Sequence, residues 1–371
     1  MRINASSCPE TSPMTTAGKK PTIRDVGREA GVSYAAASYV LSRSKHAERI
    51  TPATTQRILN AAAKLGYTRS SIGAALTRGY LETVVLLVVS WDIVTSFADL
   101  MILITQAAAR RGLTTIVHTA SNSDDANAFL LTAPSLHPYG MVLLWDSPAV
   151  SEEQLAYINS LGIPVADLMP SGPDFVSVVT PNREQAFYAI GKHLTELGHR
   201  HIGVINDFTG RSRTCHLKLA GLSRALEESG LSLEKDLLQQ AQGNVFDLGY
   251  CGTVDLLSRR KDVTAIVCLT DKVACGAIAA ARSLGLRVPE DISITGYGAE
   301  NDSRFSTPPL TTATIPSREI ASAALDMLVK ARSGEAVEPR VQIVGPSDLV
   351  VGKSTGPART WDLTICPTES C

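Results

Sequence analysis

Two periodicities divide the chain. From Thr22 to Leu65 apolar residues recur every three or four positions in short blocks broken by glycine, the pattern of amphipathic helices. Thr22, followed three residues later by Asp25, forms a capping-box pattern, after which Ile23, Val26 and Ala30 share one face until Gly31 stops the helix. Ser33 is a fresh N-cap. Ala36, Ala37, Val40 and Leu41 then face back toward the first helix, and Tyr34, Ala35 and Tyr39 face outward. After a polar loop from Ser42 to Ile50, Thr51-Pro52 starts a third helix with Ile58, Leu59, Ala62 and Leu65 on its apolar face, ended by Gly66. Two such helices around a glycine turn make either a helix-turn-helix, whose second helix enters the DNA major groove, or an ordinary αα-corner. So small a three-helix unit is only marginally stable alone.

From Glu82 onward the pattern changes to short apolar runs alternating with helical ones. The runs predict strands at Thr83–Val89, Thr114–His118, Met141–Trp145, Phe175–Val179, Ile202–Ile205, Ala265–Leu269 and Ile292–Tyr297. Helical patterns fall at Leu100–Arg111, Arg183–Leu197, Leu217–Glu228, Lys272–Leu284 and Glu319–Ala331. This alternation implies doubly wound parallel sheets, and near Val179–Asn182 the series begins again, giving two successive α/β subdomains. A cleft at the carboxyl ends of their strands would hold a small molecule.

Charge sharpens this division. Residues 1–80 hold 12 Lys and Arg against 4 Asp and Glu, whereas residues 81–371 hold 23 against 32. A basic head on an acidic body suggests a polyanion partner for the head alone. Apolar residues make up 44% of the chain, yet no run reaches the ~18 residues needed to span a bilayer, so no membrane role is expected. The first 20 residues read as a disordered tail without the apolar core of a secretory signal, and the expected location is the cytoplasm. The seven cysteines are scattered without metal-ligand spacing, and Cys268 and Cys275 read as free core thiols.

The strings PTIRDVGREAGVSYAAASYVLS, ATTQRILNAAAKLGY, LTELGHRHIGVI, SLGLRVPEDISITGYG, TPPLTTATIP and DLVVGKST, in this order over residues 21–357, resemble the LacI/GalR (lactose-repressor/galactose-repressor) family of bacterial transcription regulators. The resemblance implies a small all-α helix-turn-helix headpiece on an α/β periplasmic-binding-protein-like domain. It implies a homodimer, in some members a dimer of dimers, on a double-stranded palindromic operator, usually as a repressor, with a small effector, a sugar or related metabolite, modulating affinity. The corresponding division is a tail at 1–20, a headpiece at 21–67, a hinge helix or linker at 68–81, an effector-binding and dimerisation domain at 82–357, and a tail at 358–371. Within the effector domain, the N-subdomain would comprise 82–179 and 317–344, and the C-subdomain 180–316 and 345–357. These crossovers come from the resemblance, not from periodicity.

The same resemblance places Tyr34, Ala35 and Tyr39 at base edges and Ser33 and Ser38 at phosphates, with Thr22 at the start of the first helix. Arg49 and Arg69 join Arg24, Lys45, Arg57 and Arg78 as phosphate neutralisers, and Leu76 is the wedge that opens the minor groove. In these DNA-facing segments the chain departs from the pattern: Tyr39 stands where arginine is common, Ala36-Ala37 replaces Thr-Val, Arg69-Ser70 replaces Pro-Asn, and Gly73-Ala74 replaces Ala-Arg in the hinge. The tyrosines would read thymine methyls or make single hydrogen bonds, bidentate recognition being unavailable to them; alternatively Tyr39 packs on the headpiece. In the cleft, the pattern assigns Trp91, Phe97, Asn182, Lys218 and Asp271 to the effector, with Trp145 as a further wall or a core residue. Lys218 replaces an arginine, and Pro181 and Gly298 replace two aspartates. Asp271 is either a ligand or the N-cap of the helix from Lys272.

Neither a metal nor a cofactor is called for: the chain has no Gly-rich phosphate loop, HExxH or GxSxG, and no enzyme activity is expected. A solute-binding protein of the same fold would share the cleft but not the headpiece. The linker makes one checkable expectation. Residues 70–77 are too few for a stable isolated helix, and Gly73 costs about 1 kcal/mol against alanine, so the segment should fold only on DNA. Far-UV circular dichroism should show helix gained on adding operator; no gain would contradict a folding hinge.

Overall fold

A computed structural model of the chain describes residues 21–42, 45–67, 78–89, 97–145, 150–170, 172–206, 213–240, 245–299, 301–337 and 340–359. Arg69, Gly73 and Leu76 of the linker, Trp91, and the segments 1–20 and 360–371 lie outside the described residues. The chain divides into two compact units, Met1–Thr77 and Arg78–Cys371.

The first unit is built from α1 (Ile23–Ala30), α2 (Tyr34–Leu41), a 3-10 turn at Lys45–Arg49 and α3 (Pro52–Lys64). The capping box forms: Thr22 Oγ1 accepts from the Asp25 amide while the Asp25 carboxylate accepts from the Thr22 amide. Gly31 takes the left-handed conformation at φ 63° that ends α1, a region costly for a residue with a Cβ. Val26, Ala30, Ala37, Val40, Ile58, Ala61 and Ala62 form the core. Leu59 does not join it and is 45% exposed. Ile58, Ala61, Ala62 and Leu65 make the true i, i+3, i+4, i+7 stripe, and Leu59 sits one helical step outside it.

The second unit opens with β1 (Thr83–Val89), α4 (Ala98–Arg110), β2 (Thr114–Ala120), α5 (Ser123–Thr132), β3 (Gly140–Leu144), α6 (Glu152–Ser160), β4 (Val165–Asp167) and β5 (Ser177–Thr180). It continues with α7 (Arg183–Glu196), β6 (Ile202–Asn206), α8 (Arg213–Glu227), β7 (Leu238–Gln240), α9 (Val245–Arg259), β8 (Ala265–Cys268), α10 (Asp271–Ser283) and β9 (Ser293–Gly298). The last elements are α11 (Asn301–Phe305), β10 (Thr311–Thr314), α12 (Ser317–Ser333), β11 (Val341–Ile343) and β12 (Leu349–Val350).

Two six-stranded sheets result, ordered β2-β1-β3-β4-β5-β11 and β7-β6-β8-β9-β10-β12. All pairings are parallel except β10 with β12. Central β1 is an unbroken apolar run with six of its seven residues buried, as expected of a strand covered on both faces, whereas edge strand β2 leaves Ile116 and Val117 exposed. In both sheets the order reverses beside the first strand, so crevices open beyond the carboxyl ends of β1 and β3 and of β6 and β8.

The chain passes between the sheets three times: after β5, between β10 and α12, and between β11 and β12. The passages are bonded together. The Val344 amide donates to Thr180 O at 3.0 Å, and the Thr314 amide to Asp348 O at 2.8 Å. Gly345 has φ 64°, and a Cβ there would lie 2.6 Å from Cβ of Pro316, on the second passage. Beyond β12, the Ile294 amide donates to Ser354 O at 2.8 Å and the Ala358 amide to Leu197 O at 2.8 Å. His199, 2% exposed, bonds Thr264 Oγ1 through Nδ1 and Gly356 O through Nε2. Burial pushes its imidazolium down to about 4 from the ordinary 6.5.

Two measurements check this construction. Gly345→Ala should lower stability by about 1–3 kcal/mol in a denaturant titration, since the new Cβ meets both strain and Pro316; an unchanged midpoint would show that the passages separate freely. The folded state keeps His199 neutral down to about pH 4 while the unfolded chain takes its proton near 6.5. Its contribution is therefore complete above pH 6.5 and is lost as pH falls toward 4. Thermal midpoints across that window should fall less in His199→Gln than in the wild type.

Candidate functional site

On the first unit, α2 is held as a display surface. Gly27 lets α1 approach closely: a Cβ there would sit 3.2 Å from Val32 O and 3.7 Å from Ala37 Cβ. Ser33 Oγ accepts from the Ala36 amide at 3.2 Å, fixing the start of α2, and Ala37 and Val40 are buried beneath it. The opposite face carries Tyr34 at 56% and Tyr39 at 38% exposure, together with exposed Ala35 and half-buried Ser38. Tyr39 also meets the His46 ring, centroid to centroid at 5.1 Å, a neighbour that sequence periodicity did not reveal because it comes from the following turn. Thr22 is occupied as a cap, its hydroxyl donating to Asp25 Oδ2 at 2.7 Å. Arg24, Arg49 and Arg57 are exposed and have no ion pair among the described residues. Lys64 bonds Glu29 at 2.6 Å and ties α3 to α1, a surface pair of small energetic weight. The surface thus joins apolar-faced tyrosines to exposed cations, suited to base edges and phosphates respectively.

On the second unit, polar groups gather where the two sheets end. Just beyond β3, Trp145 is 1% exposed and donates from Nε1 to Asp167 Oδ1 at 2.9 Å. That oxygen also accepts from the Met169 amide at 2.9 Å, and Oδ2 accepts from the Gly172 amide at 3.2 Å. Trp145 is therefore a fixed core residue rather than a stacking wall. Phe97 occupies the cap position of α4 and packs on the core of the first sheet.

Across from these groups, Asp271 follows β8 and is 1% exposed, accepting from Thr312 Oγ1 at 2.6 Å. The helix cap at this point is Thr270, whose side chain accepts from the Val273 amide; Asp271 is the first helical residue and not the N-cap before Lys272. Lys218 reaches from α8 to donate to Leu269 O at 3.0 Å, with its ammonium 5.1 Å from the Tyr297 ring and 5.7 Å from Phe187. An ammonium over two ring faces is held by their quadrupoles. The Tyr297 hydroxyl is buried with no hydrogen-bond partner among the described residues, and burial pushes the phenol up to about 12.

Asn182 caps α7, its Oδ1 accepting from the Gln185 amide at 3.0 Å. It lines a cavity of about 220 Å³ with Pro170, Thr180, Pro181, Arg183 and Leu217, the last adjacent in sequence to Lys218. Asn182, Lys218 and Asp271 thus belong to the lobe of the second sheet and Phe97 to that of the first. Sequence reasoning passed over Arg183, Asp167, Phe187 and Tyr297. Only Arg183 left a signal, an arginine in the first turn of a helix where the backbone dipole disfavours a cation. The others lie in apolar strings indistinguishable from core.

A two-lobed α/β binding domain preceded by a helix-turn-helix headpiece defines the class, and comparison with known proteins bears this out. Residues 22–70 match the family of bacterial regulatory proteins of the lacI type, and residues 192–355 match the periplasmic binding protein-like domain. The chain is 29% identical over 344 residues to the HTH-type transcriptional repressor PurR of Erwinia tasmaniensis, covering 92% of this chain and 99% of that one. The PurR of Escherichia coli O1:K1 / APEC is 28% identical with the same coverage. Among solved structures, the lac repressor dimer bound to operator and the anti-inducer ONPF shares the fold at TM-score 0.75 and 23% identity, covering 91% of this chain and all of that one. The complex of the transcriptional regulator CelR with cellobiose shares it at TM-score 0.68 and 24% identity, covering 90% and 99%. The chain thus carries a LacI-family helix-turn-helix domain followed by a periplasmic-binding-protein-like domain.

The tyrosine face yields a direct test. Replacing Tyr39 with alanine should weaken binding by about 1 kcal/mol on the preferred operator and less on variants at the contacted base pair. Equal losses on every sequence, measured by fluorescence anisotropy, would assign Tyr39 to packing against His46.

Proposed function

We propose that the protein represses transcription by binding a palindromic operator as a homodimer, and that a small polar metabolite in the cleft of the second unit changes its DNA affinity. The observation that carries this reading is the display of Tyr34, Ala35 and Tyr39 on a capped, glycine-spaced α2 within a basic headpiece. In this reading Ser33, Ser38, Arg49 and Arg69 position the phosphate backbone and Leu76 wedges the minor groove, so binding weakens steeply with salt. The effector is held by Lys218, Asp271 and Asn182, with Trp91 and Phe97 from the other lobe. Exposed Ile102 on α4 and Ile116 and Val117 on edge strand β2 supply an apolar surface for the second copy.

The relatives support this role: those named above are transcriptional repressors, one structure is a dimer on its operator and another holds cellobiose. None of the described helices is long and apolar enough to cross a membrane, and the site of action is the cytoplasm, where operator DNA is. The protein acts by binding and not by catalysis. A solute-binding role would leave the basic headpiece without a purpose.

Selection of bound duplexes from a random pool should enrich a palindrome, and a metabolite screen on the winning site should find a compound that shifts affinity. Enrichment of no palindrome would overturn the repressor reading, whereas a palindrome that no metabolite affects would overturn only the effector role.

A further inference from the structure

Arg183 stands apart from the other cations. It is the only lysine or arginine that is buried among the described residues, at 4% exposure. Its guanidinium donates to Thr180 Oγ1 and, at 3.0 Å, to Met169 Sδ, both neutral partners. The nearby carboxylates are engaged elsewhere or lie in solvent: Asp167 serves Trp145 and two backbone amides, Glu184 pairs with Arg224 at 2.7 Å, and Asp174 is exposed. Among the described residues Arg183 has no counter-ion, and a buried charge left so is costly unless something neutralises it. Position aggravates the cost, because Arg183 is the first residue of the 14-residue α7, whose N-terminus is itself electropositive.

The group also faces an opening. Arg183 lines the cavity of about 220 Å³ whose walls include Pro170, Pro173 and Leu217, apolar surfaces that strengthen an electrostatic contact beside them. The lining also includes the exposed Asp174, and Glu184, which Arg224 neutralises. Asn182 lines it too, and with its Oδ1 committed to the helix cap its amide nitrogen is left to donate. This volume suits one end of a metabolite rather than a whole drug-sized ligand.

We propose that Arg183 anchors an anionic group, a carboxylate or a phosphate monoester, on the small molecule that occupies the cleft. The inference rests on the effector role above and specifies its ligand class: an acidic or phosphorylated metabolite, not a neutral sugar. The planar guanidinium fork matches either anion through paired hydrogen bonds. The site is also placed to report occupancy. Arg183 bonds the side chain of Thr180, whose carbonyl holds Val344 of the third passage between the sheets, so an anion drawn onto the guanidinium acts at the point where the lobes are joined.

The test is thermal melting of the full chain as wild type, Arg183→Met and Arg183→Lys. Each is melted in chloride buffer and then with inorganic phosphate, glucuronate, glucose 6-phosphate or glucose at matched ionic strength, with affinity for the selected DNA site read in parallel. In chloride, Arg183→Met should melt at or above the wild type, because it removes an uncompensated charge. Phosphate, and at least one of glucuronate and glucose 6-phosphate, should raise the wild-type midpoint by ~3 °C at about ten times its dissociation constant. Arg183→Met should show no such rise, and Arg183→Lys a smaller one. Which of the two sugar acids shifts the wild type more separates a carboxylate from a phosphate ligand. The proposal is overturned if Arg183→Met melts well below the wild type in chloride, if the anions shift both proteins equally, or if no anion shifts the wild type. Binding of the wild type to the selected DNA site is read independently of these anions, so failure here leaves the repressor reading standing.

Discussion

The second unit depends on three chain passages that are bonded to one another. The two sheets have separate cores, one around β1 and β3, the other around β8 and β9. Thr180 and Val344 share a backbone hydrogen bond, Thr314 and Asp348 share another, and Gly345 lies against Pro316 with no room for a side chain. Any opening or closing of the lobes must bend all three passages at once. A ligand bridging the lobes therefore has one mechanical route to the rest of the chain, and packed elements of this kind shift between discrete arrangements rather than deform smoothly. Thr180, which carries the first passage, is also the residue that Arg183 grips.

The headpiece obeys a different constraint. Helices of eight residues do not hold themselves in water, and only seven buried side chains form the core beneath them. Local devices make up the difference: the Thr22–Asp25 box, the Ser33 and Thr51 caps, and the left-handed Gly31. What remains exposed on α2 is aromatic and small, without arginine, asparagine or glutamine. In the proposed reading, affinity rests on the exposed cations around it, and sequence preference on the weaker contacts of two tyrosines.

These two halves were unequally legible in the sequence. The caps of the headpiece could be read because each is a local pattern of three or four residues. Strands β1, β3, β6 and β8 were legible as continuous apolar runs, but β4, β7, β10 and β11 were not, since the three residues of each of β4, β7 and β11, or the threonines of β10, carry no period of their own. Helix α9, VFDLGYCGTVDLLSR, was hidden by its two glycines, which weaken a helical pattern. The passages between the sheets came from the family resemblance, because topology leaves no periodic trace. Asp167 was missed because a carboxylate is ordinary in a sequence, and Arg183 despite its place in the first turn of a helix; only the fold shows that one is fully bonded and the other buried without a counter-ion among the described residues.

The central claim is that paired headpieces read one palindrome. It is tested most directly by fluorescence anisotropy of the full chain on the selected site, against the same duplex with one half scrambled. Because joining two readers makes the second contact intramolecular, scrambling one half should reduce affinity by roughly a hundredfold or more. Equal affinity for the two duplexes would contradict the account.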